Sequence, residues 1–175
     1  MRENKRVNRG FTLIELTVVV AIIAVLAATI APNVQDIIVK SRNASRMAGL
    51  ASLEIALGQY FDDNALYPFA AFVWRGGESG YGGYSHEGAN GYVPNLAPKY
   101  IRRLPADPTV GKYNPAVGAD NNGYLYLSNG ANYKLLEHYG PENPGSNYGN
   151  EKFKYYDPVR PTWAWATYSE GGRDW

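Results

Sequence analysis

The chain has no cysteine, and only two histidines and two methionines among 175 residues. Without thiols it forms no disulfide, no thiolate zinc site and no cysteine nucleophile. The compartment is left unmarked, because an exported domain with a sufficient core can do without disulfides. An excess of one charge is also missing: 17 Lys and Arg stand against 16 Asp and Glu, a net of +1. That removes the broad basic field on which non-specific nucleic-acid binding depends, so no nucleic-acid partner is expected. Catalytic patterns are missing too. The glycines at 76–83 follow no G-x-G-x-x-G order, and no nucleophile, base and oxyanion grouping is visible. His86 and His138 fall in separate stretches with no ligand spacing and read as loop or surface residues. An enzyme is not expected.

What is present is unevenly distributed. Residues 1–10 carry Arg2, Lys5, Arg6 and Arg9 against Glu3, a basic leader. Residues 11–31 hold a single ionisable group, Glu15, within a run of Leu, Ile, Val and Ala. As a helix that run is about 31 Å long, which matches a hydrocarbon core of about 30 Å. Twelve of its residues are Leu, Ile, Val or Phe, and together they outweigh the roughly 3 kcal/mol insertion cost of one carboxylate. The sequence therefore predicts a membrane-inserting helix with an acid near its start. An intramembrane acid is a functional candidate by default.

An ordinary secretory signal peptide, cut among the small residues around Ala27 to Ala31, is the competing reading. Three features oppose it. The apolar run is longer than a signal core, it contains Glu15, and a helical pattern continues beyond it. Pro32 follows the run and is expected to kink the helix there. Apolar residues then recur at Met47, Leu50, Leu53, Leu57 and Tyr60, one stripe of an amphipathic helix. Asp36, Lys40, Arg42, Asn43, Arg46, Glu54 and Gln59 are placed on its other faces. The predicted helix spans about residues 12–61.

From residue 60 onward lie all 15 tyrosines, all four tryptophans, 16 of 19 glycines and 10 of 11 prolines. This is a loop-rich head. Asp62-Asp63-Asn64 and Tyr67-Pro68 end the helix with turn formers and a proline. Residues 123–128 and 131–136 flank Asn129-Gly130, a pair suited to a two-residue type I′ hairpin turn. Residues 162–168 alternate large and small, which puts Trp163 and Trp165 on one face of a third strand. Residues 75–92 and 140–161 read as surface loops whose tyrosines cover a small sheet. Asp120, Asn121 and Asn122, like Asp62-Asp63-Asn64, offer oxygen ligands for calcium but lack EF-hand spacing, and turn formation accounts for them equally.

The junction Arg9-Gly10-Phe11-Thr12-Leu13-Ile14-Glu15 resembles the processing site of type IV pilins and type II secretion pseudopilins. The Tyr60 to Pro68 helix end and Tyr100-Ile101-Arg102-Arg103-Leu104-Pro105-Ala106-Asp107-Pro108 resemble the same proteins, the major pseudopilin in particular. Thr109-Val110 departs from it where that protein often continues with Trp-Gly. The resemblance implies an α+β pilin fold, a long N-terminal helix whose outer half packs on a small antiparallel sheet. It divides the chain into a cleaved leader (1–10), a membrane and polymerisation helix (11–31), an amphipathic extension (32–61) and a β head (62–175).

It further implies that a membrane-embedded prepilin peptidase cuts between Gly10 and Phe11 on the cytoplasmic side and methylates the new Phe11 amine. Gly10 suits the cut because a bare Cα lets a protease approach the backbone. The Phe11 amine is the natural partner for Glu15, within one subunit or between neighbours, and that pair would select correctly registered subunits during assembly. The expected partners are copies of the same chain in a helical filament, an inner-membrane platform protein and an assembly ATPase. No cofactor is expected beyond a candidate calcium. The leading expectation is a structural subunit of a type IV pilus-like filament, stored in the inner membrane and then displayed at the surface or in the periplasm. The alternatives are a type II secretion pseudopilin and, in another class, a secreted glycan-binding module released by signal peptidase.

Overall fold

The computed structural model describes residues 11–109, 121–140, 142 and 149–175, with the side chains of residues 29–33 left out. Among the described residues the fold is α+β: one α-helix, α1 (Leu13–Asn64), and a four-stranded sheet. Contacts divide the chain into an N-terminal unit ending at Ile38 and a head unit that starts at Val39.

In the N-terminal unit α1 begins two residues after Phe11, and its helical backbone continues through position 32. Pro32, where a kink is expected, has its side chain outside the described residues. The apolar residues of this unit are exposed, from Leu13 at 81% to Leu26 at 54%. Among the described residues no helix is long and apolar enough to cross a membrane. The described side chains of the apolar run stop at Ala28, about 22 Å from Leu13 along a helix axis.

In the head unit the helix ends three residues later than the sequence suggested. Asn64 donates from Nδ2 to the Tyr60 carbonyl at 2.7 Å, and the Ala65 amide bonds the Phe61 carbonyl at 2.7 Å. Ala65 takes φ 56°, the left-handed conformation that closes a helix and that glycine more often supplies.

The sheet is an antiparallel meander of β1 (Arg75–Gly76), β2 (Gly123–Ser128), β3 (Tyr133–His138) and β4 (Ala164–Tyr168). Side chains alternate across it. Tyr124, Tyr126, Tyr133, Leu135 and Trp165 join the core with Leu50, Leu53 and Leu57 of the helix stripe. Leu125, Leu136 and Ala166 form a second cluster with Trp74, Tyr81 and Tyr168. Each fully buried leucine contributes about 1.5–3 kcal/mol of transfer free energy. Gly49 lets the sheet approach, because a Cβ there would overlap the Tyr124 hydroxyl, which instead donates to the Arg46 carbonyl at 3.0 Å.

Three local expectations need correction. The loop between β2 and β3 has four residues, since Ser128 pairs with Tyr133. Gly130 takes φ 89° but Asn129 does not join it at positive φ, as a type I′ turn requires. Asn129 Oδ1 instead accepts the amides of Ala131 and Asn132 at 3.0 and 2.8 Å, an Asx turn that consumes the hairpin pair. Strand β4 starts at Ala164, so Trp163 leaves the alternation. It stacks on Tyr139 at 4.4 Å, while Trp165 enters the core. Finally, the stretch 75–92 is not all surface loop: it supplies β1 and ends in Tyr92, which is buried and donates to the Pro105 carbonyl at 2.9 Å.

Candidate functional site

The N-terminal candidate is built by the first turn of α1. Thr12 stands before the helix, and its carbonyl accepts the first helical bond, from the Leu16 amide at 3.2 Å. Its Oγ1 accepts the Glu15 amide at 3.3 Å. Glu15 Oε2 reaches back and accepts both the Thr12 amide and the Thr12 hydroxyl, each at 2.8 Å. Thr12-Leu13-Ile14-Glu15 is thus a complete capping box, in which two amides that a helix start leaves orphaned are satisfied reciprocally. The sequence carried this signal, a threonine followed three residues later by a glutamate ahead of an apolar run. Phe11 is 89% exposed beside it. Gly10 and the rest of the leader lie outside the described residues.

A second site lies where the helix meets the sheet. The sequence reading put Asn43 and Arg46 on open faces of the helix, yet both are buried. They extend the stripe of Leu50, Leu53 and Leu57 toward the N-terminus at spacings of three and four. Arg46 donates from Nε to Asp107 Oδ2 and from Nη2 to Asp107 Oδ1 at 3.3 Å, a bidentate pair. Its Nη1 donates to Asn43 Oδ1 and to Glu142 Oε1, both at 2.9 Å. Arg42 closes on Glu142 from the outer side.

Glu137 of β3 lies 3.7 Å from Arg46 Nε, and neither of its carboxyl oxygens receives a hydrogen bond. Burial, and then the neighbouring Asp107 charge, push its pKa well above the ordinary carboxylate range, with Arg46 pulling the other way. Its charged form is therefore disfavoured beside Asp107, whose own charge Arg46 already answers. Burial also raises Asp107, but the hydrogen bonds from Arg46 and Thr109 and the Arg46 charge more than offset it, and its pKa is lowered. For Arg46 itself the burial penalty is likewise outweighed by Asp107, Glu137 and Glu142, and its pKa is raised. The arrangement fastens helix, loop and sheet.

The remaining candidates are dispersed. Asp120 lies outside the described residues. Asn121 gives its carbonyl to His138 Nδ1 at 2.5 Å, and the buried Asn122 donates from Nδ2 to Thr109 Oγ1 at 3.1 Å. Asp63 accepts from Lys99 at 2.8 Å and from the Tyr100 hydroxyl at 2.9 Å, so the 62–64 turn serves the helix end. Among the described residues no group of three or more His, Asp and Glu is placed to hold a metal ion. His86 is half-buried against Tyr92. His138 is a buried strand residue and not a surface one, since it closes β3 among Tyr81, Tyr139 and Trp163.

Residues 5–31 match the prokaryotic N-terminal methylation motif, which takes in Gly10, Phe11 and Glu15. The chain is 31% identical over 157 residues to type II secretion system core protein G of Escherichia coli strain K12, covering 84% of this chain and 95% of that protein. The chain belongs to the core protein G family of type II secretion pseudopilins. This pseudopilin is also 29% identical over 150 residues to the same protein of Vibrio cholerae, with 83% and 92% of the two chains covered. Fimbrial protein EcpC of Eikenella corrodens is 38% identical, but over 64 residues, 37% of this chain. The similarity to core protein G thus takes in the head as well as the N-terminal helix, and it favours the pseudopilin over the pilus subunit that led the sequence reading. No solved structure matches the pseudopilin.

Proposed function

We propose that the chain is a non-enzymatic structural subunit of the periplasmic pseudopilus of a type II secretion system. The observation that carries the reading is the similarity to core protein G over 157 residues, which runs far past the motif that pilins of all kinds share. In this reading the leader holds the N-terminus in the cytoplasm, and residues 11–31 store the subunit in the inner membrane. Prepilin peptidase cuts between Gly10 and Phe11 and methylates Phe11. The exposed apolar face then passes from lipid to the helices of neighbouring copies, with a platform protein and an ATPase driving the transfer. Glu15 guides register through the Phe11 amine of a neighbour.

The test compares a deletion strain with its parent. Loss of enzyme secretion with surface pili unchanged supports the pseudopilus, whereas loss of surface pili with secretion intact assigns the chain to a pilus. Intact mass and the N-terminal peptide of envelope protein add a separate check. A chain that begins at Phe11 with one added methyl agrees with the proposal, and one that begins beyond Ala27 and is free in the medium overturns it.

A further inference from the structure

The face of the sheet turned away from α1 carries a cavity of about 180 Å³ that the assembly reading does not use. Leu125 and Leu136 form its floor. Trp74, Tyr81 and Trp163 wall it, and His138 and Arg160 complete it. An apolar cavity of about 150 Å³ holds one benzene ring, so this space takes a single six-membered ring. Its chemistry is mixed. The Arg160 guanidinium carbon lies 5.3 Å from the Trp74 ring centre and 5.8 Å from that of Trp163. Arg160 uses Nη1 for Asp157 and the Trp175 carbonyl, which leaves Nε and Nη2 as donors to a guest.

The acceptor is equally defined. His138 Nδ1 lies 2.5 Å from the Asn121 carbonyl, a contact that requires the proton on Nδ1. Burial lowers the pKa of the ring and so favours its neutral form, in which Nε2, at 3.2 Å, accepts from the Tyr81 hydroxyl. The oxygen of Tyr81, a residue of the cavity wall, is then left as an acceptor with its proton already committed. Aromatic side chains beside a donor and an acceptor suit a ring that is apolar on its C–H face and hydroxylated at its edge. A hydrocarbon ring would strip water from Arg160 and Tyr81 without replacing it. A simple anion would use Arg160 and leave the indoles unused.

We propose that this cavity is a saccharide subsite that binds one pyranose ring of a glycan. The site is independent of which filament the subunit builds. Its test uses the full chain in detergent, titrated separately with D-glucose, D-galactose, N-acetyl-D-glucosamine and D-glucuronate, and read by tryptophan fluorescence and saturation-transfer NMR. At least one sugar gives a saturable response with Kd of about 1–10 mM, an ordinary strength for a single ring. Tyr81→Phe weakens it roughly 3–10-fold, as loss of one hydrogen bond does, with an unchanged melting temperature. Trp163→Ala abolishes it. No response to any of the four sugars at about 50 mM, or equal affinity in Tyr81→Phe and Trp163→Ala, overturns the proposal. So does saturable binding of sodium benzoate in place of every sugar, which assigns the space to an aromatic guest such as a neighbour's side chain.

Discussion

Arg46 of the helix and Asp107 of the loop before the sheet form a bidentate ion pair in which neither side chain is exposed to solvent. Removing one partner of such a pair leaves the other charge buried and unanswered, which costs about 3–5 kcal/mol. Arg46→Met is therefore expected to unfold the head at far lower denaturant, as followed by near-UV circular dichroism. A variant with an unchanged midpoint would show that the pair contributes no net stability.

Glu137 gives a pH dependence of unusual sign. Its pKa is raised on folding, so the proton it holds in the fold is lost from the unfolded chain above about pH 4.3. Stability from this group is whole below that pH and declines as pH rises toward the folded value. Asp107 and Glu142 act oppositely, their lowered pKa values giving stability above the ordinary carboxylate range that is lost in acid. Glu137→Gln keeps the neutral state and removes the decline. Its melting temperature at pH 8 should equal or exceed that of the parent, with a flatter profile from pH 5 to 8. A lower melting temperature at pH 8 would show that the charged acid is the native form.

The helix glycines at 49 and 58 predict opposite outcomes for one substitution. A Cβ at 49 strikes the Tyr124 hydroxyl, whereas at 58 it meets open space. Gly49→Ala is expected to destabilise the head by about 1–3 kcal/mol through overpacking. Gly58→Ala is expected to stabilise it by about 0.5–1 kcal/mol through helix propensity. Chemical denaturation of both variants decides the pair.

Two substitutions separate capping from assembly at Glu15. Glutamine can accept the Thr12 amide as glutamate does, but it carries no charge. Both Glu15→Ala and Glu15→Gln should insert and be processed, because the apolar run governs insertion. If Glu15 acts by pairing with an amine, neither forms filaments. Normal filament yield from Glu15→Gln would assign the residue to the helix start alone.

Gly10→Val should accumulate uncut precursor in the membrane, since the side chain blocks close approach to the scissile bond. Mass spectrometry of the envelope fraction reads it directly. Mature protein at the parental level would move the cut elsewhere.

Periodicity made much of the fold legible. Leu50, Leu53 and Leu57 recur at helical spacing, and all three are enclosed. The 123–128 strand followed from the Asn129-Gly130 pair beside it, and Trp165 from alternation. Polar residues defeated the same method. Asn43 and Arg46 sit on the leucine stripe by spacing, but hydrophobicity assigns them to solvent unless their partners are known, and Asp107 lies 61 residues from Arg46. Glu137 is opaque for the same reason. At the N-terminus the Thr12–Glu15 box was readable, yet the acid invited a reading in which it waits for a partner.

The four-residue loop at 129–132 sets more than a turn. Shortening it to two residues would slide β3 by two positions along β2 and return every side chain to its original face. The core would still look correct in cross-section. Glu137, which now stands opposite Tyr124, would then stand opposite Asn122. The hairpin thus has a near twin that satisfies hydrophobic burial and differs in which polar groups meet, so the ionic knot is what distinguishes one register from the other.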